Sequence, residues 1–258
     1  MNQNPKLIRN SIIKKIPELT ILFWIMKICA TTLGETAGDL LSMTMNVGYA
    51  MSTIILLSIF IITLGLQLFS KRYIPTIYWL VILSTSTAGT TMSDFMDRTL
   101  GFGYATGSLI LVILLSFTLL VWQLSEKSLS VTNITTRRGE LFYWTAILIS
   151  NTLGTALGDF LADNSGLGFA GGAIVIGSIL VLIILAHYYS QIPSVVLFWF
   201  AFVLTRPFGA TFGDLLTKNV EKGGLGFGTI GSSSLLFLIL VLLLIYVTIT
   251  LNNEKKIN

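Results

Sequence analysis

Apolar residues run along this chain in eight stretches separated by short polar segments. Each stretch has about 20 residues, which is enough for an α-helix to cross the ~30 Å hydrocarbon core of a bilayer. The pattern therefore predicts an all-α integral membrane protein with eight transmembrane helices. The expected spans are 19–42, 47–69, 76–97, 102–124, 140–162, 168–189, 194–217 and 226–250.

A two-helix unit recurs four times along the sequence, with separations of 55, 65 and 55 residues between equivalent positions. Three residue types share this register, which indicates an internal repeat. The sets are Trp24, Trp79, Trp144 and Trp199; Gly34, Gly89, Gly154 and Gly209; and Asp39, Asp94, Asp159 and Asp214. We expect each unit to be a helical hairpin in which Gly and an aromatic residue open the return helix.

The repeats define the organisation of the chain. The expected units are an N-terminal segment (1–18), repeat 1 (19–75), repeat 2 (76–124), a polar linker (125–139), repeat 3 (140–193), repeat 4 (194–250) and a C-terminal tail (251–258). Each repeat crosses the membrane twice, so all four share one orientation and are related by an axis along the membrane normal, unlike inverted-repeat transporters.

Composition and charge support a membrane location. Hydrophobic residues make up 53% of the chain and charged residues 11%, which excludes an ordinary soluble domain. Eleven Lys and Arg residues fall on one predicted side (Lys6, Arg9, Lys14, Lys15, Lys71, Arg72, Lys127, Arg137, Arg138, Lys255 and Lys256) and three on the other (Arg98, Lys218 and Lys222). This bias predicts a cell-membrane protein with both termini in the cytoplasm. It also explains the net charge of +4 without a nucleic-acid partner.

The four repeated aspartates are the main candidates for function. Each ends the first helix of its repeat, so the four are expected at one depth, where they can converge into a ring. Thr36, Thr91 and Thr211 lie three residues before an Asp on the same helical stripe, and we expect their hydroxyls to assist the carboxylates. An alternative is that these hydroxyls bond back to their own helix. The Gly pairs on the opposite face have the spacing that allows close helix packing.

Symmetry is broken by Lys27 and Glu35 in the first repeat and by Arg206 in the fourth. Arg206 lies near mid-membrane, where an unpaired cation is costly, and Glu35 is its expected partner. A structural ion pair and a gating role remain alternatives. Glu35 and the four repeated aspartates, five acids in all, then face two bases, Lys27 and Arg206. This deficit of positive charge predicts a cation site.

Oxygen ligands favour hard cations. The chain has one His and one Cys, which gives little support to a zinc or copper site. Carboxylates and hydroxyls suit Mg²⁺, Ca²⁺, Mn²⁺, alkali ions or protons. No resident cofactor is identified, and a divalent metal is expected as the substrate. The four Trp residues are interpreted as anchors at the membrane interface.

The four copies of W-x9-G-x3-[GS]-D, each followed by G-[YF], resemble the bacterial multi-pass membrane proteins built from a two-helix Gly-Asp repeat of unknown function. The resemblance covers the chain from about Leu22 to Tyr246, with departures at Ser93 and Pro207. The family supplies no activity. E-T-A-G-D at 35–39 is loosely similar to the Glu-x-Gly-Asp motif of a manganese and calcium transporter family, with one residue more, which favours a divalent ion.

The sequence thus predicts a transporter of small cations that lies in the lipid bilayer and can form a homo-oligomer. A channel, or a proton-coupled transporter of another small cation, would use the same residues. A non-transporting scaffold and an intramembrane enzyme are further alternatives. The chain contains no HExxH or GxSxG motif and no His-rich cluster, so we expect that it is not an enzyme.

Overall fold

The computed structural model of the protein describes residues 16–131, 134 and 136–257. This part is all-helical, with eight long helices that overlap the eight predicted spans. They are α1 (Ile21–Asp39), α2 (Tyr49–Phe69), α3 (Pro75–Asp94), α4 (Tyr104–Glu126), α5 (Arg137–Asp159), α6 (Gly168–Tyr189), α7 (Ser194–Thr217) and α8 (Gly228–Ile257). Most of the predicted N-terminal segment, with Lys6, Arg9, Lys14 and Lys15, lies outside the described residues, as do linker residues 132, 133 and 135.

Six of these helices are long and apolar enough to cross a membrane, which indicates a multi-pass membrane protein. The other two fall short, α1 because it carries Lys27, Glu35 and Asp39, and α3 because hydroxyl residues occupy much of its second half. Both are mostly buried, whereas α2, α6 and α8 expose most of their apolar side chains. The polar helices are therefore covered by protein, and the apolar helices form the outer surface.

The first helices of the four repeats form a closed central ring. In this ring α1 packs on α3, α3 on α5, α5 on α7, and α7 back on α1. All four run in the same direction, from an end with the repeated Trp residues to an end with the repeated Asp residues. We call these the tryptophan end and the aspartate end.

The second helix of each repeat packs mainly against the first helix of the next repeat. Thus α2 packs on α3, α4 on α5 and α6 on α7, while α8 closes the circle on α1. The sequence predicts hairpins, whose two helices would pack on each other. In the structure, each return helix packs instead on the first helix of the next repeat. This exchange makes the four repeats one interlocked bundle.

Glycine allows the ring helices to approach closely. A Cβ added to Gly34 would meet Ser86 of α3, one added to Gly89 would meet the Asn151 backbone of α5, and one added to Gly154 would meet Arg206 of α7. Gly209 completes the circle against Thr31 of α1. The packing role predicted for the repeated glycines therefore holds at all four seams.

The aspartate-end turns are built in the same way in the first three repeats. Each ring helix continues past its Asp as one π-helical turn: Leu40–Thr44, Phe95–Thr99 and Phe160–Asn164. Gly48 and Gly103 then adopt positive φ angles of 80° and 72° before the return helix, a conformation that favours glycine. In the fourth repeat, three extra residues replace the π turn with a short 3₁₀ turn at Val220–Lys222, and α8 begins at Gly228 rather than at Gly226-Phe227.

Candidate functional site

The four repeated aspartates converge at the aspartate end and are all buried. They form two ion-paired couples, each held by one base. Lys218 Nζ lies 2.7 Å from Asp39 Oδ2 and 3.0 Å from Asp214 Oδ1. Arg98 places Nε 2.9 Å from Asp94 Oδ1 and a terminal nitrogen 2.9 Å from Asp159 Oδ2. Each base thus binds its own repeat's Asp and the Asp of an adjacent ring helix.

Sequence reasoning assigned Arg98 and Lys218 to the outer loops as topology signals and missed these ion pairs. A signal was present, since both bases lie four residues after an Asp, the spacing that brings side chains together on a helix. The equivalent positions in repeats 1 and 3 are Met43 and Asp163. The helices therefore repeat four times, whereas the base four residues after the Asp is present only in repeats 2 and 4.

The two couples have different surroundings. The Arg98 guanidinium lies between the rings of Tyr49 and Tyr104, at 5.9 and 5.6 Å from their centroids, and donates to the Tyr49 hydroxyl. Near Lys218 there is instead a third carboxylate, because Glu35, Asp39 and Asp214 place oxygens within 4.8 Å of one another. The Arg98 couple is thus fixed by several contacts, and the Lys218 couple is the more acidic side of the cluster.

Lys218 follows the last residue of α7 and is partly exposed. Burial by itself would lower the pKa of its ammonium, but the charges of Asp214 and Asp39 outweigh that effect and raise the pKa above its ordinary value of 10.5. Lys218 is therefore a permanent cation at neutral pH, bound where a free cation would meet the same carboxylates.

Arg206 lies at the centre of the ring, is fully buried, and contacts all three other ring helices. One terminal nitrogen lies 2.9 Å from Glu35 Oε2 of α1, the ion pair expected from the sequence. The other donates to the Thr90 hydroxyl and the Ser86 carbonyl of α3, and to the Thr155 hydroxyl of α5 at 2.8 Å. Thr90 and Thr155 also donate to Glu35.

The hydroxyls predicted as ligands are placed differently. Thr36 bonds to the Leu33 carbonyl of its own helix and to Ser233 of α8, and Thr91 bonds to the Ala88 carbonyl. Thr211 bonds back to Pro207 and packs beside Gly172 of α6. The structure therefore uses these three hydroxyls within and between helices. Thr90 and Thr155, one residue before Thr91 and Ala156, are the hydroxyls that reach Glu35.

Toward the tryptophan end, the layer of the ring below Arg206 contains a buried base. Lys27 shares its layer with Ile82, Ile147 and Phe202, the equivalent positions of the other repeats, and all four are fully buried. Lys27 Nζ lies 3.9 Å from the centroid of the Phe202 ring and makes no hydrogen bond within the described residues.

An aromatic cluster closes this end of the ring. Phe23 packs on Trp79, Tyr78 on Trp144 and Phe198 on Trp24, so three of the four seams have one aromatic pair each. Trp122 of α4 bridges the fourth seam between Tyr143 and Trp199. The prediction of interface anchors is wrong for Trp79, Trp144 and Trp199, which are buried in this cluster, and Trp24 is half-buried.

The charge deficit inferred from the sequence is also smaller than expected. Once Arg98 and Lys218 are included, the five acids face four bases, so one negative charge is left rather than three. The charges are not evenly spread. Lys27 and Arg206 outnumber Glu35 in the centre, and the aspartates outnumber their two bases at the aspartate end.

Comparison with known families agrees with the four-repeat architecture. The Repeat of Unknown Function (DUF347) matches residues 22–73, 77–128, 142–192 and 197–251. The chain belongs to the DUF347 repeat family. Its four matched segments correspond to the four ring helices, each with its return helix. No curated protein and no solved structure matches this DUF347 chain.

Proposed function

We propose that this DUF347 protein transports a small cation, in the first place a divalent metal ion, across the cell membrane. The observation that carries the proposal is the acidic cluster of Glu35, Asp39 and Asp214 at one end of a closed ring of polar helices. Carboxylate oxygens in such a cluster are the ligands that hard divalent cations prefer. The positive-inside bias supports cytoplasmic termini, which would place the aspartate end outside.

Lys218 supplies a mechanism for admitting the cation. Its ammonium already bridges Asp39 and Asp214, so it competes with any cation that enters. A divalent ion gains more from two carboxylates than a single ammonium does, and it can recruit Glu35 as a third. We infer that the ion displaces Lys218, whose position just after α7 lets its side chain turn toward water. Arg98 bridges Asp94 and Asp159 and so holds the other couple in place.

Flux through the purified protein in liposomes tests the proposal, with Mn²⁺ and Ca²⁺ as probes and a trapped metal-sensitive dye as readout. Asp39→Asn and Asp214→Asn should lower the initial rate at least about tenfold, since each removes a charged ligand. Asp163→Asn is the matched control, because Asp163 is an exposed acid at the same end. Wild-type flux in both ligand variants would refute the cation pathway through this cluster.

Removing the competing ammonium gives a second test, in which cation binding should become tighter rather than weaker. Lys218→Gln should lower the cation concentration at half-maximal rate, by about threefold to tenfold. Lys222→Gln, which removes an exposed base from the same turn, should leave that concentration unchanged. An increased half-saturating concentration in Lys218→Gln would show that the ammonium assists the site rather than competing for it.

A non-transporting membrane scaffold is the second candidate. The network around Arg206 favours it, because one guanidinium ties α1, α3, α5 and α7 together through fully buried bonds. As a scaffold, the protein would transport no ion, and its charged residues would stabilise the helix bundle. Wild-type liposomes without flux of any tested cation, combined with loss of assembly in the Asp variants, would select this function.

A further inference from the structure

Lys27 has no role in the site described above, and its ammonium is buried without a hydrogen-bond partner among the described residues. Its side chain is fully buried, and its layer is otherwise filled by Ile82, Ile147 and Phe202. A buried ammonium without a carboxylate partner is expensive in an apolar surrounding. Packing alone would be served better by the Ile or Phe of the other repeats.

Few ionisable groups face Lys27. On α7, Arg206 lies one turn toward the aspartate end, but it repels Lys27 and is already paired with Glu35 of α1. On α3 and α5, Tyr78 and Tyr143 lie one turn toward the tryptophan end, and their hydroxyls bond to each other at 2.7 Å. On the outer side of α1, Cys29 donates to a carbonyl of α8. No described carboxylate forms an ion pair with Lys27.

The position of Lys27 makes it an obstacle to a cation. The layers of the ring run from the aspartates through Glu35 and Arg206 to Lys27, and then to the aromatic cluster. An ion that leaves Glu35 for the tryptophan end first passes Arg206, which is paired with Glu35, and then meets Lys27, a buried like charge that has no hydrogen-bond partner among the described residues. Passage therefore requires that Lys27 be neutral at that moment. Desolvated lysines lose a proton more readily than lysines in water.

We propose that Lys27 is the coupling residue of this transporter, so that movement of the cation requires a proton to move in the opposite direction. The inference rests on the proposed function. Lys27 gives up a proton to water on the aspartate side: one N–H bond breaks, and the electron pair stays on the nitrogen. The cation then passes the neutral amine, and Lys27 takes a proton from water on the tryptophan side. The step needs no oxidant or other reactant.

Two substitutions separate coupling from folding. Lys27→Met removes the charge in every state, so Mn²⁺ flux should continue while proton counterflow, read with a trapped pH dye, is lost. The rate should also become less dependent on pH than in the wild type. Lys27→Arg fixes the charge, because an arginine stays protonated, and should lower flux at least about tenfold. Mn²⁺ binding to the detergent-solubilised protein should stay at the wild-type level in both variants.

The outcomes distinguish this inference from the proposed function. Wild-type protein that moves Mn²⁺ without moving protons overturns the role of Lys27 and leaves the transporter standing. Lys27→Arg with wild-type flux, or Lys27→Met with intact proton counterflow, does the same. Absence of Mn²⁺ flux in wild-type protein overturns the proposed function itself. Size-exclusion profiles and thermal unfolding identify a variant that has failed to fold, and Phe202→Leu, which keeps the lysine, should retain coupling.

Discussion

Arg206 shows how much one residue determines in this protein. Its guanidinium bonds to Glu35, Thr90 and Thr155 at a depth where no solvent reaches it. Removing one member of a buried ion pair leaves the other charge without compensation, which typically costs about 3–5 kcal/mol. Arg206→Met should therefore lower the free energy of unfolding by about that amount, measured by denaturant titration in detergent.

The partner substitution provides the control. Glu35→Gln combined with Arg206→Met removes both charges, so the double variant should recover most of the stability lost in Arg206→Met alone. Equal losses in the single and double variants would show that the shape of the Arg206 side chain, whose Cγ packs against Gly154, matters more than its charge.

Arg98 and Lys218 occupy equivalent positions but are not interchangeable. Arg98 uses two nitrogens on two aspartates and lies against two Tyr rings, a geometry that suits a planar guanidinium. We expect Arg98→Lys to lower the melting temperature by several degrees, corresponding to about 1–2 kcal/mol. Lys218→Arg should leave it within about a degree, since Lys218 makes fewer contacts. Differential scanning fluorimetry in detergent measures both, and equal shifts would contradict the proposed division between a fixed and an exchangeable couple.

At the scale of helices, the ring seams depend on residues without side chains. A Cβ at Gly89 would lie 2.9 Å from backbone atoms of Asn151 and Thr152, which cannot turn aside as a side chain can. Gly89→Ala should therefore separate α3 from α5 and destabilise the protein by about 1–3 kcal/mol. Gly65→Ala in α2 is the control, because nothing lies within 4 Å of its added Cβ. Equal unfolding free energies for the two variants would contradict the close packing of this seam.

Hydropathy and periodicity predicted the eight helices, because an apolar stretch of membrane length has few other structures open to it. They did not predict which face of each helix is buried against other helices. Trp79 and Trp144 have the position and chemistry of interface anchors, yet they pack inside the ring, because each meets an aromatic neighbour from another repeat. Partners across repeats depend on three-dimensional packing, which the spacing of residues along one helix does not specify.

The same limit applies to the candidate site. The register of the aspartates correctly predicted that they converge, and the depth of Arg206 correctly predicted Glu35 as its partner. The i, i+4 bases were missed because Arg98 and Lys218 were assigned to loops, whereas a π turn carries Arg98 back over the cluster. Thr36 and Thr211 were assigned to the site by helical stripe alone, which did not predict their contacts with α8 and α6.

For the whole molecule, the exchange of return helices makes repeat 4 a direct neighbour of repeat 1. The Thr44 hydroxyl of the first π turn lies 2.7 Å from the Thr229 hydroxyl at the start of α8. Side chains this close can accept a disulfide, so a Thr44→Cys, Thr229→Cys variant should form one under mild oxidation. The link joins residues 185 positions apart and should increase the mobility of the unreduced monomer in a denaturing gel.

Thr44→Cys with Thr118→Cys, which lies on an exposed part of α4, should not cross-link within the monomer. If the first pair also fails while the protein is folded, α8 does not close the ring on α1, and the circular order of the four repeats must be revised.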